Sequence, residues 1–440
     1  MNDTIAAIAT PLAEGAISII KVSGDQAIEK VSKIFDKNLK NFGANTINYG
    51  NIIDSNNQIV DEVMVSVFKA PASFTREDVV EINTHGGVLV TRTVLSLVLS
   101  QGVRLARPGE FTQRAFLNGR VDLTQAEAIN DLITASSSKA MELAVSGIKG
   151  SIKKLLDPLI EDMLNIIATI EVNIDYPEYD DVVILSNKLV KPSVSKWISD
   201  LDIIIERAMK TREIKEGVST VIIGEPNVGK SSLFNALIEE DKAIVTDIAG
   251  TTRDLVEGVI HLDNVTLSLI DTAGLRDTED KIEKIGIEKT NAAINKAEFI
   301  IMVLDASRPI NERESDLLEK IKEKRHIVVY NKADLKDFGE VRVSAIKNDI
   351  EALVDKINKK FEYSELDLSE GSLNNERQIG LALEAQISLK QALMAIESEM
   401  ELDLVAIDLN DAYLALKEIL GEVSRDDLLD TLFSKFCLGK

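Results

Sequence analysis

Nine consecutive residues carry the plainest chemistry in the chain: Gly224, Glu225, Pro226, Asn227, Val228, Gly229, Lys230, Ser231 and Ser232. A glycine, four residues, a second glycine, then lysine and serine is the spacing of a loop that wraps phosphate. Glycines let backbone N–H groups approach phosphate oxygens, and a helix that follows adds unpaired donors and the positive end of its dipole. Lys230 is then placed to reach the β- and γ-phosphates and Ser231 to bind Mg²⁺. Asp271, Thr272, Ala273 and Gly274 supply a second piece, a carboxylate for a Mg²⁺-bound water and a glycine N–H for the γ-phosphate. Asn331, Lys332, Ala333 and Asp334 supply a third. A carboxylate at Asp334 can accept two hydrogen bonds from adjacent N–H and NH₂ donors, which guanine carries and adenine lacks. Between the first two pieces, Gly250, Thr251, Thr252, Arg253 and Asp254 suit a switch loop that closes over Mg²⁺ and the γ-phosphate. Together they predict GTP as the ligand and its hydrolysis as the reaction.

Leu275 follows Gly274, where many GTPases place a glutamine that orients the attacking water. An aliphatic side chain cannot do this, so other groups must position the water and offset the charge developing on the phosphate. The Asn227 carbonyl and the loop around Thr246, Ile248 and Thr251 offer oxygen ligands of the kind that suit a hard cation.

These pieces need strands to end on and a helix to start from. Apolar, β-branched runs at 218–223, 265–270 and 326–330 precede the three motifs, and 233–238 has helical apolar spacing. Upstream, short β-branched runs at 17–22, 60–67 and 79–82 with one helical stretch, 87–100, predict a compact α+β domain. Apolar residues recur every three or four positions from 123 to about 174, again over 191–212 and 375–419, with a last short helix at 426–433. The helical stretches flanking the GTPase segment each need an apolar partner, and pairing with one another makes that segment an insertion. The fold class is thus multidomain α/β and α: an N-terminal α+β domain (1–119), a helical domain in two parts (120–213 and 365–440), and an inserted Ras-like P-loop GTPase domain (214–364).

At 440 residues the chain has length for about three domains. Fifty basic against 73 acidic residues give a net charge of −23, so any nucleic-acid contact must be local or shared with a partner. No apolar run reaches about 18 residues and no basic-headed leader opens the sequence, which predicts a cytoplasmic protein without membrane contact. The single cysteine, Cys437, excludes internal disulfides and a cysteine zinc cluster, and three histidines leave little for a histidine metal site.

Several stretches outside the GTPase motifs resemble the MnmE (TrmE) family of tRNA-modification GTPases over nearly the whole length. They are Asp3, Thr4, Ile5, Ala6 and Ala7 with Thr10 and Pro11; Ala106 to Phe111 leading into Arg114, Ala115, Phe116, Leu117 and Asn118; Asp122 and Leu123 with Gln125 to Ala128; and the terminal Phe436, Cys437, Leu438, Gly439 and Lys440. The resemblance implies an N-terminal domain that dimerises and binds a 5-formyl- or methylene-tetrahydrofolate one-carbon donor through Lys21, Glu81, Arg120 and Lys440. It implies a homodimer that works with the flavoprotein MnmG as a heterotetramer, adding an aminomethyl-type group at C5 of the wobble uridine of tRNA. It also implies K⁺ at Asn227, Thr246, Ile248 and Thr251, Mg²⁺ at Ser231 and Thr252, Glu283 holding the attacking water, and a reactive Cys437. Asp247, Ala249, Ser344 and Ala345 complete the nucleotide set. The chain has Lys21 and Arg120 where the family has arginine and lysine, keeping charge but changing geometry. Residues 11–15 lack the family's Gly-Arg-Gly character, and Arg76 stands where a glycine is usual. A GTPase switch in ribosome or RNA assembly is the alternative, but it normally brings a basic RNA-reading module, and none is evident. A folate enzyme regulated by GTP is a third possibility.

Overall fold

The computed structural model describes residues 3–135, 137–175, 185–240, 256–270, 291–335, 339–361, 371–423, 432, 433, 436 and 439. It divides into two compact units, Met1–Asn130 with Tyr413–Lys440, and Asp131–Ala412.

The first unit is built on six strands: β1 (Ile5–Ile8), β2 (Ile17–Ser23), β3 (Thr46–Ile53), β4 (Ile59–Phe68), β5 (Val79–His85) and β6 (Arg104–Leu105). They lie in the order β3-β4-β5-β2-β1-β6, antiparallel except where β1 meets β6. Alternation along the strands decides the faces. On β4, Val63, Val65 and Val67 turn inward to join Ile20, Val22, Val80 and Ile82 under α1 (Ala27–Ser32) and α2 (Val88–Ser100). On the opposite face Lys21 pairs with Glu81, and Ile47, Tyr49 and Met64 are exposed. Near β1 that face is covered from α3 (Glu110–Leu117), where Phe111 packs with Ile5, Ala7 and Ala106. Residues of α4 (Leu123–Thr134) pack with Phe433 and Phe436 near the chain end.

The second unit holds α5 (Ser138–Ile148), α6 (Ser151–Asp175) and α7 (Asn187–Glu216), then β7 (Val218–Ile223), α8 (Lys230–Glu240), β8 (Val256–His261), β9 (Thr266–Ile270) and β10 (Phe299–Asp305). After these come α9 (Glu312–Ile321), β11 (His326–Asn331), α10 (Glu351–Lys360) and α11 (Glu376–Glu397). The last helix, α12 (Leu402–Leu420), runs from this unit into the first. Five strands lie in the order β11-β10-β7-β9-β8, all parallel except β8. Residues 299–304 of β10 are all buried, as a strand covered by helices on both faces must be. α7, which leads into this sheet, packs along α11, which follows it. Small residues Ala382, Ala385, Ser388 and Ala392 on the buried side of α11 permit that approach. Among the described helices α11 alone is long and apolar enough to cross a membrane by length and composition.

The expected strands at 218–223 and 326–330 are present, and 265–270 is a strand from Thr266. Helix boundaries differ. The expected run 375–419 is two helices, because Glu399 takes a left-handed φ of 54° and the Met400 N–H bonds to the Ala395 carbonyl at 3.0 Å, closing α11. The run from 123 breaks twice: Ser137 caps α5 by accepting from the Ala140 N–H, and Gly150 turns at φ 76°. α8 begins at Lys230 rather than at 233, since its first turn is polar. Residues 432 and 433 are helical, and the rest of the expected helix at 426–433 lies outside the described residues.

Candidate functional site

In an open parallel sheet, ligands bind beyond the carboxyl ends of the strands, where the order of connections reverses. β7 is central here, and its carboxyl end opens into residues 224–229 before α8 begins. Three positive φ values shape that turn: Gly224 at 153°, Asn227 at 62° and Gly229 at 95°. A Cβ at Gly224 would meet the Val303 carbonyl oxygen at 2.4 Å, and one at Gly229 would meet Asn331 Nδ2 at 2.2 Å. Gly224 is required by the close approach of the Val303 backbone, and Gly229 by the buried Asn331 side chain packed against it. The Lys230 ammonium donates to the Gly224 and Glu225 carbonyls, both at 3.1 Å, which holds it over the loop. Ser231, at the start of α8, is exposed.

β10 and β11 end side by side, with Asp305 in register with Asn331. Asn331 is buried and joins two loops, donating to the Val228 carbonyl at 2.8 Å and accepting from the Ala345 N–H at 3.1 Å. Lys332, at φ 66°, donates to Asp305 at 2.6 Å. Burial works to raise the Asp305 carboxyl, but the Lys332 ammonium and the Ser307 hydroxyl and N–H outweigh it and hold the carboxyl at about 2. Asp334 accepts from the Ser344 hydroxyl at 2.8 Å. Asn227, Val228, Gly229, Lys230, Ser231, Ser232, Asn331, Lys332, Ala333, Asp334, Ser344 and Ala345 therefore converge on one edge of the sheet. The glycine-lined turn, the lysine and the helix start fit a polyphosphate, and the Ser231 hydroxyl can complete an oxygen shell around Mg²⁺ with phosphate and water. The Asn227 amide can donate its oxygen to a hard cation. Thr246, Asp247, Ile248, Ala249, Gly250, Thr251, Thr252, Asp271, Thr272, Ala273, Gly274 and Glu283 lie outside the described residues. Among the described residues no group of three His, Cys, Asp or Glu side chains could hold a metal by itself.

Asp305 was missed in the sequence. Its signal was the same as that of Asp271, an apolar β-branched run ending in aspartate.

In the first unit the structure brings together Lys21, Glu81 and Arg120. Lys21 Nζ lies 3.9 Å from Glu81 Oε1, 4.7 Å from the centre of the Phe74 ring and 5.3 Å from that of Phe111. The Arg120 guanidinium stacks on Phe74 at 4.7 Å and donates to the Phe74 carbonyl at 3.0 Å. Two cations, one carboxylate and the partly exposed Phe74 ring form a cleft over the fully buried Phe111, suited to a planar heterocycle that carries carboxylates. Phe111 belongs to the 106–111 stretch read in the sequence, but the contacts of Phe74 and Phe111 with Lys21 and Arg120 were not read there, because stacking across the fold leaves no local spacing. Gly439 is buried at φ 89°, where a Cβ would meet the Ile8 carbonyl at 2.7 Å and Ala9 Cα at 2.9 Å. The tail thus reaches the carboxyl end of β1, the strand paired with the Lys21 strand. Cys437 and Lys440 lie outside the described residues.

Comparison with known proteins identifies the family of the whole chain. A family model described as the GTP-binding protein TrmE N-terminus matches residues 4–120, and one described as the MnmE helical domain matches residues 123–437. The tRNA modification GTPase MnmE of Acholeplasma laidlawii is 49% identical over 444 residues, covering 99% of this chain and 99% of its own. The protein of the same description from Streptococcus thermophilus is 47% identical over 451 residues, covering 100% of this chain and 98% of its own. Among solved structures, the G domain of the T. maritima FeoB iron transporter is 25% identical, covers 33% of this chain and 99% of its own, and has a TM-score of 0.25, too low to bear on the fold. The chain is a GTPase and belongs to the MnmE family of tRNA modification GTPases.

Proposed function

We propose that this GTPase is the GTP-hydrolysing component of a system that modifies C5 of the wobble uridine in tRNA. It acts with the flavoprotein MnmG and a 5-formyl- or methylene-tetrahydrofolate donor. The observation that carries the reading is the pairing, in one chain, of a nucleotide edge with a separate cleft of Lys21, Glu81, Arg120 and Phe74. Lys21 and Arg120 suit the carboxylates of a folate tail, Glu81 suits the donor edge of its heterocycle, and Phe74 offers a stacking face. Cys437 and Lys440 act beside that cleft, with the thiol as the reactive group.

The residues 214–364 act as a GTPase domain inserted between the helical parts 120–213 and 365–440. Hydrolysis uses K⁺ held by Asn227, Thr246, Ile248 and Thr251 in place of an arginine finger, Mg²⁺ at Ser231 and Thr252, and a water held by Glu283. The part of the Lys21 sheet face away from β1, with Ile17, Ile47, Tyr49 and Met64 exposed, supports a homodimer through the N-terminal domains.

GTPase rates measured in K⁺ and in Na⁺ test the cation. The rate is expected to be higher in K⁺, by about tenfold or more, the size of one lost transition-state contact. Asn227→Ala should remove most of that difference. Equal rates in the two salts, with Asn227→Ala unchanged, contradict the reading.

A further inference from the structure

Arg114 is 1% exposed, yet its guanidinium is bound to three carboxylates brought from distant points of the chain. Nη2 donates to Asp3 Oδ1 at 2.7 Å and to Glu110 Oε1 at 3.1 Å; Nη1 donates to the Asp3 carbonyl at 2.8 Å and to Glu77 at 3.1 and 3.2 Å. Glu110 is fully buried, and burial works to raise its carboxyl, but the bonds from Arg104, from the Arg107 N–H and from Arg114 hold it below the usual carboxylate range. Burying so many charges is a poor source of stability, since desolvation offsets most of the attraction. What such a cluster fixes is geometry.

The geometry it fixes is that of the Phe74 connection against α3. Glu77 closes the connection between β4 and β5 that carries Phe74, and Glu110 immediately precedes Phe111. The Phe74 segment is tied from several sides: the Ser23 hydroxyl donates to Glu77 at 2.7 Å, the Asn118 amide to the Thr75 carbonyl at 2.6 Å, and the Ser73 hydroxyl to the Glu77 carbonyl at 2.5 Å. Arg114 alone among these reaches both Glu77 and Glu110. We propose that Arg114 is the positioning residue of the cleft, tying the Phe74 connection to α3 and so holding Phe74 in the place from which it faces Lys21 and Arg120. A lysine cannot replace it, because one ammonium lacks the planar fork that serves separate carboxylates at once. This rests on the folate reading given above.

The test uses the full chain and 5-formyl-tetrahydrofolate as probe, with hydrogen exchange across residues 72–77 as a readout that needs no ligand. Arg114→Lys is expected to raise exchange there and to weaken folate binding, each by about tenfold, the worth of one charge-assisted hydrogen bond, with GTP hydrolysis unchanged. Arg104→Gln is the control, since Arg104 contacts Asp3 and Glu110 and makes no described bond to Glu77. It should lower the melting temperature while leaving exchange at 72–77 and folate affinity within about twofold. Glu77→Gln serves should Arg114→Lys fail to fold. Unchanged exchange in Arg114→Lys, or losses in both variants that simply follow melting temperature, overturn the proposal. If the unaltered chain binds no folate while Arg114→Lys still speeds exchange, the ligand reading falls and ring positioning stands. If the unaltered chain binds and Arg114→Lys binds equally well, positioning falls and the ligand reading stands.

Discussion

Gly229 shows how closely the nucleotide edge is packed. Any side chain there meets the Asn331 amide that holds the Val228 carbonyl, and φ of 95° adds strain for an L-residue. Gly229→Ala is expected to weaken GTP and GDP binding by about a hundredfold, since a displacement of an ångström suffices for that. Fluorescence titration with a labelled nucleotide reads it, and parental affinity would show that the loop tolerates the shift. Asp305 gives a pH-dependent signature. Its folded carboxyl is held at about 2, below the ordinary aspartate value of 3.8, so the stability it contributes is present above pH ~4 and is lost as pH falls toward 2. Asp305→Asn should therefore melt below the parent at pH 7, with the gap closing as pH drops through that window; a gap that widens in acid contradicts the Lys332 pairing. Motif spacing made Asn227 to Ser232 and Asn331 to Asp334 legible in the sequence, because one local loop holds each. The stacking of Arg120 on Phe74 was not legible, since it depends on how a helix end meets a strand connection. Arg76 lies between these cases. Its φ of 59° explains the glycine usual in the family, and the bond from its guanidinium to the Asn118 carbonyl at 2.9 Å helps offset the strain here.

Where the chain enters and leaves the GTPase segment, α7 and residues 371–374 are stapled together. The Thr211 hydroxyl meets the Ser372 hydroxyl at 2.8 Å and the Leu373 carbonyl at 3.2 Å, all buried. Thr211→Val deletes this with little change of volume and should cost about 1 kcal/mol, the net worth of a buried hydrogen bond, since the Ser372 hydroxyl can still donate to the Leu373 carbonyl at 3.2 Å. Calorimetry should show a lower melting temperature with nucleotide affinity unchanged; an unchanged melting temperature would mean the staple contributes nothing. Element types were readable from apolar periodicity, but helix ends were not. Glu399 closes α11 in the left-handed conformation that glycine usually marks, so the sequence gives no stop signal there. α7 starts four residues before the expected 191 because Pro192 sits within it, where a proline usually opens a helix.

At the scale of the whole molecule, a charge of −23 argues against a broad basic tRNA face and for a tRNA contact that is local or shared with a partner. The α7–α11 pairing joins the two sides of the GTPase segment. The central claim is that GTP hydrolysis by this chain is required for wobble-uridine modification. It is tested most directly by nucleoside analysis of tRNA from a strain lacking the chain, complemented with either the unaltered protein or Lys230→Ala. The account predicts that the C5-modified nucleoside is absent without the chain, returns with the unaltered protein and stays absent with Lys230→Ala. Modified wobble uridine in the deletion strain, or its full return with Lys230→Ala, would contradict the account.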